Sequence, residues 1–300
     1  MRVLPAGVAT ASAPALGVAM AAASARGAAV DTLGVSAAAP VVDEADLERR
    51  FGGLRRLYGD RGYAQVRAAH VVVVGLGGVG SWTAEALARS GVDALTLVDL
   101  DQVAESNVNR QVQALGSTLG MAKTDALAAR IADIHPGCEV AAVEEFVDES
   151  NWPGLLARRA DVVIDACDDV RAKAVLAAWA RAGGTPLVSV GAAGGKRAAE
   201  RVEVADLADV THDPMLAGLR QRLRKHHGAP RAGALGVCCV FSREPVAMPA
   251  VDACDVDGSL NCHGYGSSVA VTATFGMVAA SRALELAAVP GGRAGAPACL

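Results

Sequence analysis

Gly75-Leu76-Gly77-Gly78-Val79-Gly80-Ser81 follows directly on four valines, Val71 to Val74. Glycines spaced this closely let a buried strand turn sharply into a helix and let the backbone approach a ligand. The helix start then offers unpaired N–H groups and a partial positive charge, a ready site for phosphate. Asp99 ends a second apolar run, Ala94 to Val98. It stands about 20 residues past the glycines, where an acid meets a ribose hydroxyl in such units.

A glycine turn and one acid suit an NAD(P) dehydrogenase equally well, and further residues decide against it. Asp101 follows, then the turn-rich Ser106-Asn107-Val108-Asn109-Arg110-Gln111. Lys123 opens a helix, where the dipole favours an acid, so an anion is expected to meet it. Val162-Val163-Ile164-Asp165 runs into Ala166-Cys167-Asp168-Asp169, with carboxylates at the C-terminal end of a strand, where open α/β sheets bind ligands. Asp165, Asp168 and Asp169 are candidate Mg²⁺ ligands, since Mg²⁺ takes one or two carboxylates plus phosphate oxygens. Arg110 and Lys123 suit a polyphosphate. Hydride transfer needs neither metal nor paired cations, whereas adenylation of a carboxylate by Mg-ATP needs both.

The elements that must hold these groups are those of a Rossmann-like, doubly wound α/β fold: a mostly parallel sheet with a smaller C-terminal α/β extension. The pattern predicts helices over Lys123–Ile134 and about Val170–Ala182, a strand over Pro186–Val190, and a flexible glycine turn at Gly191–Gly195. Asp213-Pro214 reads as a helix N-cap and first-turn pair. Its helix carries an apolar stripe of Met215, Leu219 and Leu223, with Arg220, Arg222, Arg224 and Lys225 opposite. A solvated face with cations near a helix C-terminus explains these four, and so does contact with a phosphate backbone. His226-His227 lacks a neighbouring Cys or Asp to complete a metal site. A last helix, about Ser267 to Ala288, is apolar enough to approach a membrane span. Its many small residues fit close helix packing better, in the core or a dimer interface, so no integral membrane association is expected.

The stretch from about Leu47 to Ala287 resembles the ThiF/MoeB superfamily of ubiquitin-activating-like adenylating enzymes. The marks are the glycine turn, Asp99-Leu100-Asp101, Asn107 with Arg110-Gln111, Lys123, and Asp165 with Asp168. Narrower marks are similar to the branch of tRNA threonylcarbamoyladenosine dehydratases. They include Arg50-Phe51-Gly52-Gly53 with Leu57-Tyr58-Gly59, Asp168 through Lys173, Gly194-Gly195, Cys239-Val240-Phe241-Ser242 and Val271 through Gly276.

The resemblance implies a nucleotide site made of Gly75, Gly77, Gly78, Gly80, Asp99, Asp101, Asn107, Arg110, Gln111, Lys123 and Asp168. Asp99 would hold the ATP ribose, Arg110 and Lys123 the phosphates, and Asp168 the Mg²⁺, and Arg110, Lys123 and Asp168 would be catalytic. It also implies a homodimer in which Arg50 or Arg56 reaches the neighbouring subunit's site, a sulfur-relay partner of the kind some relatives have, and a tRNA substrate, for which Arg220, Arg222, Arg224 and Lys225 are candidate contacts. The expected reaction is ATP-dependent cyclisation of threonylcarbamoyladenosine at position 37 of tRNA through a carboxyl-adenylate. The alternative is adenylation of a sulfur-carrier protein's C-terminal glycine. A non-catalytic nucleotide-binding scaffold would have no need of Asp99, Arg110, Lys123 and Asp168 together.

At 300 residues the chain can hold one large α/β domain. Its net charge of −4 leaves any tRNA contact to a local patch. The seven cysteines form no C-x-x-C pair, which disfavours structural zinc and, among relatives, favours the dehydratase branch. Their odd, scattered count argues against a disulfide framework. Cys239 reads as a buried thiol rather than a nucleophile, and Cys238 and Cys239 should face opposite sides of a strand. The expected organisation is an alanine-rich extension over residues 1–42, an adenylating domain over 43–290 (core about 47–195, substrate and dimer region about 196–290), and a tail over 291–300. The extension reads as disordered, as a misplaced start, or as a transit peptide. The expected location is cytoplasmic, or organellar in the last case.

Overall fold

The computed structural model describes residues 46–247 and 265–289. The expectations for the alanine-rich extension and the tail, and Cys254, Cys262 and Cys299, lie outside the described residues.

Seven strands make one sheet: β1 (His70–Val74), β2 (Ala94–Val98), β3 (Glu139–Val143), β4 (Val162–Asp165), β5 (Leu187–Val190), β6 (Val202–Asp206) and β7 (Cys238–Ser242). Their spatial order is β3-β2-β1-β4-β5-β7-β6, and only β6 runs antiparallel to its neighbour. Strands covered on both faces have no polar side to present, so β1 and β2 read as unbroken apolar runs and every residue of both is buried. The edge strand β3 alternates instead between exposed and half-buried positions. The C-terminal extension takes the form of β6 and β7, which build onto the same sheet rather than a second one.

Helices α2 (Arg55–Ala68), α3 (Gly80–Arg89), α4 (Lys123–Ile134) and α7 (Val269–Ala288) cover one face. Helices α5 (Val170–Gly183) and α6 (Pro214–His226) cover the other. Within β1 the side chains alternate accordingly: Val71 and Val73 pack into the first core, Val72 and Val74 into the second. A short helix α1 (Leu47–Phe51) precedes α2. The cap residues fix where the helices start. Asp169 accepts from Arg171 N at 2.6 Å to open α5, and Asp213 accepts from Leu216 N at 2.9 Å to open α6.

The long apolar α7 lies on α3 and the sheet. Val271, Phe275, Ala279 and Ala283 are wholly buried there, each large side chain contributing about 1.5–3 kcal/mol of burial. A Cβ on Gly276 would stand 2.6 Å from Val79 O, so the small residues of this helix serve close packing within the chain. Cys239 faces the core under α5 and α6, while Cys238 lies against Arg282 of α7 on the opposite side.

β1 sits between β2 and β4, and the helices that follow β1 and β4 leave to opposite faces. That reversal opens a crevice beyond the C-terminal ends of β1 and β4, the position where doubly wound sheets take ligands.

Candidate active site

The glycine turn lies across this crevice. A Cβ on Gly75 would come within 2.8 Å of the Ala166 carbonyl, and one on Gly80 within 1.8 Å of Gly75 O. Only glycine lets the ends of β1 and β4 and the start of α3 meet this closely. Gly77 differs: a Cβ there would meet no protein atom within 4 Å, so its Cα faces open space. No side chain caps the start of α3, and although Ser81 N donates to Gly77 O at 3.1 Å, the remaining first-turn N–H groups face the crevice without a side-chain cap.

Asp99 leaves the end of β2 buried against this turn. Its Oδ2 accepts from Leu76 N at 2.6 Å and its Oδ1 from Asp101 N at 2.9 Å. Lys123 is 7% exposed, and its Nζ donates to Asp101 Oδ2 at 2.7 Å with Asp99 Oδ1 at 3.6 Å. The anion that meets this first-turn lysine in the structure is therefore a pair of side-chain carboxylates.

Arg110 packs its aliphatic stem over Gly78, 3.1–3.2 Å from where a Cβ would stand. Its Nη1 donates to Ser106 O at 2.8 Å and Asn109 Oδ1 at 3.0 Å, while its buried Nε has no partner among the described residues. An orphaned guanidinium N–H beside the glycine turn is the arrangement an incoming phosphate oxygen would complete.

Asn107 and Gln111 act within the segment itself. Asn107 Oδ1 accepts from Ala104 N at 3.0 Å, and Gln111 Oε1 accepts from Gln113 Nε2 at 3.2 Å. Sequence reasoning missed two residues that stitch this segment to the glycine turn. Gln113 Nε2 donates to Leu76 O at 2.9 Å, and Trp82 Nε1 donates to Arg110 O at 2.9 Å. Neither lies in a periodic pattern that would have singled it out.

The three carboxylates at the end of β4 separate into different roles. Asp165 is fully buried, accepting from Lys173 Nζ at 3.0 Å and Ser189 Oγ at 2.7 Å. Asp169 caps α5. These two are engaged within the fold, and Asp168, exposed after β4, has no side-chain hydrogen bond or ion pair among the described residues. Lys173 occupies a position in the buried stripe of α5 with Leu176, Ala177 and Ala180, and a lysine inside an apolar stripe is the signal that marks a buried pair. Among the described residues no cluster of three or more His, Cys, Asp or Glu could hold a metal by itself.

Cys167, the thiol beside the site, is a poor nucleophile, and Cys138 lies just before β3 at the opposite end of the sheet. Burial, with Asp165 next to it, pushes Cys167 well above the ordinary thiol range, and burial pushes Cys138 up to about 12.

The Gly191–Gly195 turn is held rather than flexible. Asp213 Oδ2 accepts from Ala192 N at 2.8 Å and lies where a Gly191 side chain would begin, and Gly195 N donates to Gly266 O at 2.9 Å. Lys196 follows, buried, donating to Ser242 O and Glu244 O, and burial lowers its pKa.

Of the two leading-segment arginines, Arg50 donates to Asp133 O and Ile134 O at the end of α4. Arg56 is exposed and makes no side-chain hydrogen bond or ion pair among the described residues. The four cations of α6 do not act together either. Arg220, Arg224 and Lys225 line one hollow, and Arg222 is not among its lining residues.

A model of the ThiF family matches residues 51–295. The chain is 44% identical over 248 residues to the tRNA threonylcarbamoyladenosine dehydratase of Escherichia coli K12, covering 79% of this chain and 92% of that one. It is 39% identical over 242 residues to the Haemophilus influenzae protein of the same name, covering 79% and 93%. Among solved structures, the Escherichia coli dehydratase TcdA in complex with ATP superposes with a TM-score of 0.75 at 43% identity, covering 84% of this chain and 99% of that one.

Proposed function

The chain belongs to the ThiF family, and on that footing we propose that it is an ATP-dependent tRNA threonylcarbamoyladenosine dehydratase. The near full-length likeness to the named dehydratases carries the substrate assignment. The cradle of Gly77, the uncapped start of α3 and the unpartnered Arg110 Nε supplies the chemistry.

ATP is a substrate in this scheme. Its phosphates lie along the glycine turn, with the ribose toward Asp99 and Arg110 and Lys123 beside the phosphoryl groups. The threonine carboxylate of the modified adenosine attacks the α-phosphorus, forming an acyl–oxygen–phosphorus bond and releasing pyrophosphate. Arg110 and Lys123 hold the charge that develops as pyrophosphate leaves, a type of contribution worth about 10²–10³ in rate per donor. Asp168 would hold Mg²⁺ together with phosphate oxygens, where the ion would neutralise charge on the leaving group.

The carbamoyl group of the same side chain then attacks the activated carbonyl. A five-membered ring closes, AMP departs and a proton is lost, so the net change in the nucleoside is loss of one water. Internal attack of this kind has an effective molarity of about 10⁵–10⁸ M, so no protein nucleophile is required. The raised thiol of Cys167 agrees with that.

The enzyme works as a homodimer in this reading, with Arg56 the leading-segment arginine free to reach the neighbouring subunit. Pyrophosphate release tests the proposal. It should require tRNA bearing threonylcarbamoyladenosine, and release driven instead by a sulfur-carrier protein, with no response to tRNA, would replace this reading with carrier adenylation.

A further inference from the structure

The second face of the molecule carries a hollow of about 420 Å³ lined by Ala217, Arg220, Gln221, Arg224, Lys225 and Arg231. Its four cations form no ion pair with any carboxylate among the described residues. A chain of net charge −4 has acids to spare, so four uncompensated cations round one concavity are not a by-product of composition.

The helix dipole explains cations only in the last turn of α6, which takes in Arg224 and Lys225. It explains neither Arg220, a turn earlier, nor Arg231, which comes from the following loop. Two of the four are also fixed in place. Arg220 Nη1 donates to Leu207 O at 2.9 Å and Val210 O at 2.8 Å, and Arg224 donates to Pro230 O at 3.2 Å and Arg231 O at 3.0 Å. Those carbonyls aim the guanidinium groups without cancelling their charge, and each arginine keeps further N–H donors.

We infer that this hollow docks the phosphate backbone of the tRNA substrate on the anticodon-stem side of the reacting nucleotide. The inference rests on the dehydratase reading. Position supports it: α6 begins at the active-site edge, where Asp213 binds Ala192 N after β5. Its 13 residues then run away from that edge for about 20 Å. A nucleic-acid duplex carries a charge for every ~1.7 Å of axis, so a stem leaving the crevice along this face brings many phosphates over α6. The structure also changes the membership of the contact set that the charge run alone suggests, removing Arg222 and adding Arg231.

The test is binding of tRNA carrying threonylcarbamoyladenosine, by fluorescence anisotropy over a range of salt concentrations, with ATP affinity as the measure of an intact fold. Lys225 and Arg231 are exposed and their side chains make no hydrogen bond or ion pair among the described residues, so K225Q/R231Q should keep its ATP affinity. It should bind tRNA about tenfold more weakly, with the salt slope reduced by about 2. R222Q should keep the wild-type tRNA affinity and slope. If wild-type protein converts tRNA but K225Q/R231Q retains full affinity and slope, the docking surface is overturned and the dehydratase reading stands. If wild-type protein neither binds nor converts tRNA, the dehydratase reading itself fails. Displacement by poly-glutamate as effectively as by tRNA, at equal charge, would assign the hollow to an acidic protein instead.

Discussion

Lys123 Nζ donates to Asp101 Oδ2 at 2.7 Å while remaining 3.6 Å from Asp99 Oδ1, so one ammonium faces both acids of the Asp99-Leu100-Asp101 run. The two contacts differ in kind, because Asp99 is buried and Asp101 has a side chain 58% exposed. Lys123 is buried and only the Asp101 half of this pair is open to water, which weakens it relative to a fully buried pair. In the proposed mechanism a polyphosphate competes with Asp101 for Lys123, and Asp101 holds the lysine in position until ATP binds.

The substitution D101N should therefore change ATP affinity by less than about fivefold, since 1.36 kcal/mol corresponds to tenfold. K123A should lower kcat/KM by about 10²–10³. Isothermal titration with ATP and initial rates of pyrophosphate release check the two. A D101N enzyme as impaired as K123A would make the acid, rather than the lysine, the working group.

Gly77 and Gly80 should respond oppositely to alanine. G80A drives a methyl into a backbone carbonyl at the β1–α3 turn and should lower Tm markedly or prevent folding. G77A meets no protein atom, so its Tm should match wild type while ATP binding weakens through collision with the phosphates. Unchanged ATP affinity in G77A would move the phosphates away from this glycine.

The Lys173–Asp165 pair is fully buried beneath the crevice. K173M strands an uncompensated carboxylate and should cost about 3–5 kcal/mol in urea unfolding, and D165N/K173M should recover part of that loss. Equal losses in the single and double variants would mean that packing, not charge, is what Lys173 supplies.

Acidification should destabilise the fold in a definite window. Burial pushes His70 and His135 below the ordinary imidazole value of 6.5. Below about pH 6.5 the unfolded chain binds more protons than the folded one, so stability rises with pH there and is fully present above it. Tm should fall between about pH 7.5 and about pH 5.5, and H70Q/H135Q should flatten that fall. An undiminished fall in the double variant would place the proton uptake elsewhere.

The sheet was legible in the sequence because its central strands are buried on both faces and must be unbroken apolar runs. The valine run before Gly75 and the run ending at Asp165 could hardly be anything else. The helix start at Asp213 was legible for a local reason, a side-chain oxygen at the cap followed by proline, whereas Asp169, read as a metal candidate, turned out to cap α5. Less accessible were facts fixed by partners far away in sequence. Nothing near Asp165 announces that Lys173 and Ser189 absorb its charge. Nothing near Arg222 says that it misses the hollow that Arg231 completes. Type and spacing named the candidates; tertiary contacts sorted them.

The most direct measurement is mass spectrometry of the nucleosides from tRNA incubated with the protein, ATP and Mg²⁺. The account predicts that threonylcarbamoyladenosine loses one water, only when ATP is present, and much more slowly with R110A. Unchanged threonylcarbamoyladenosine in the presence of ATP and folded wild-type protein would contradict it.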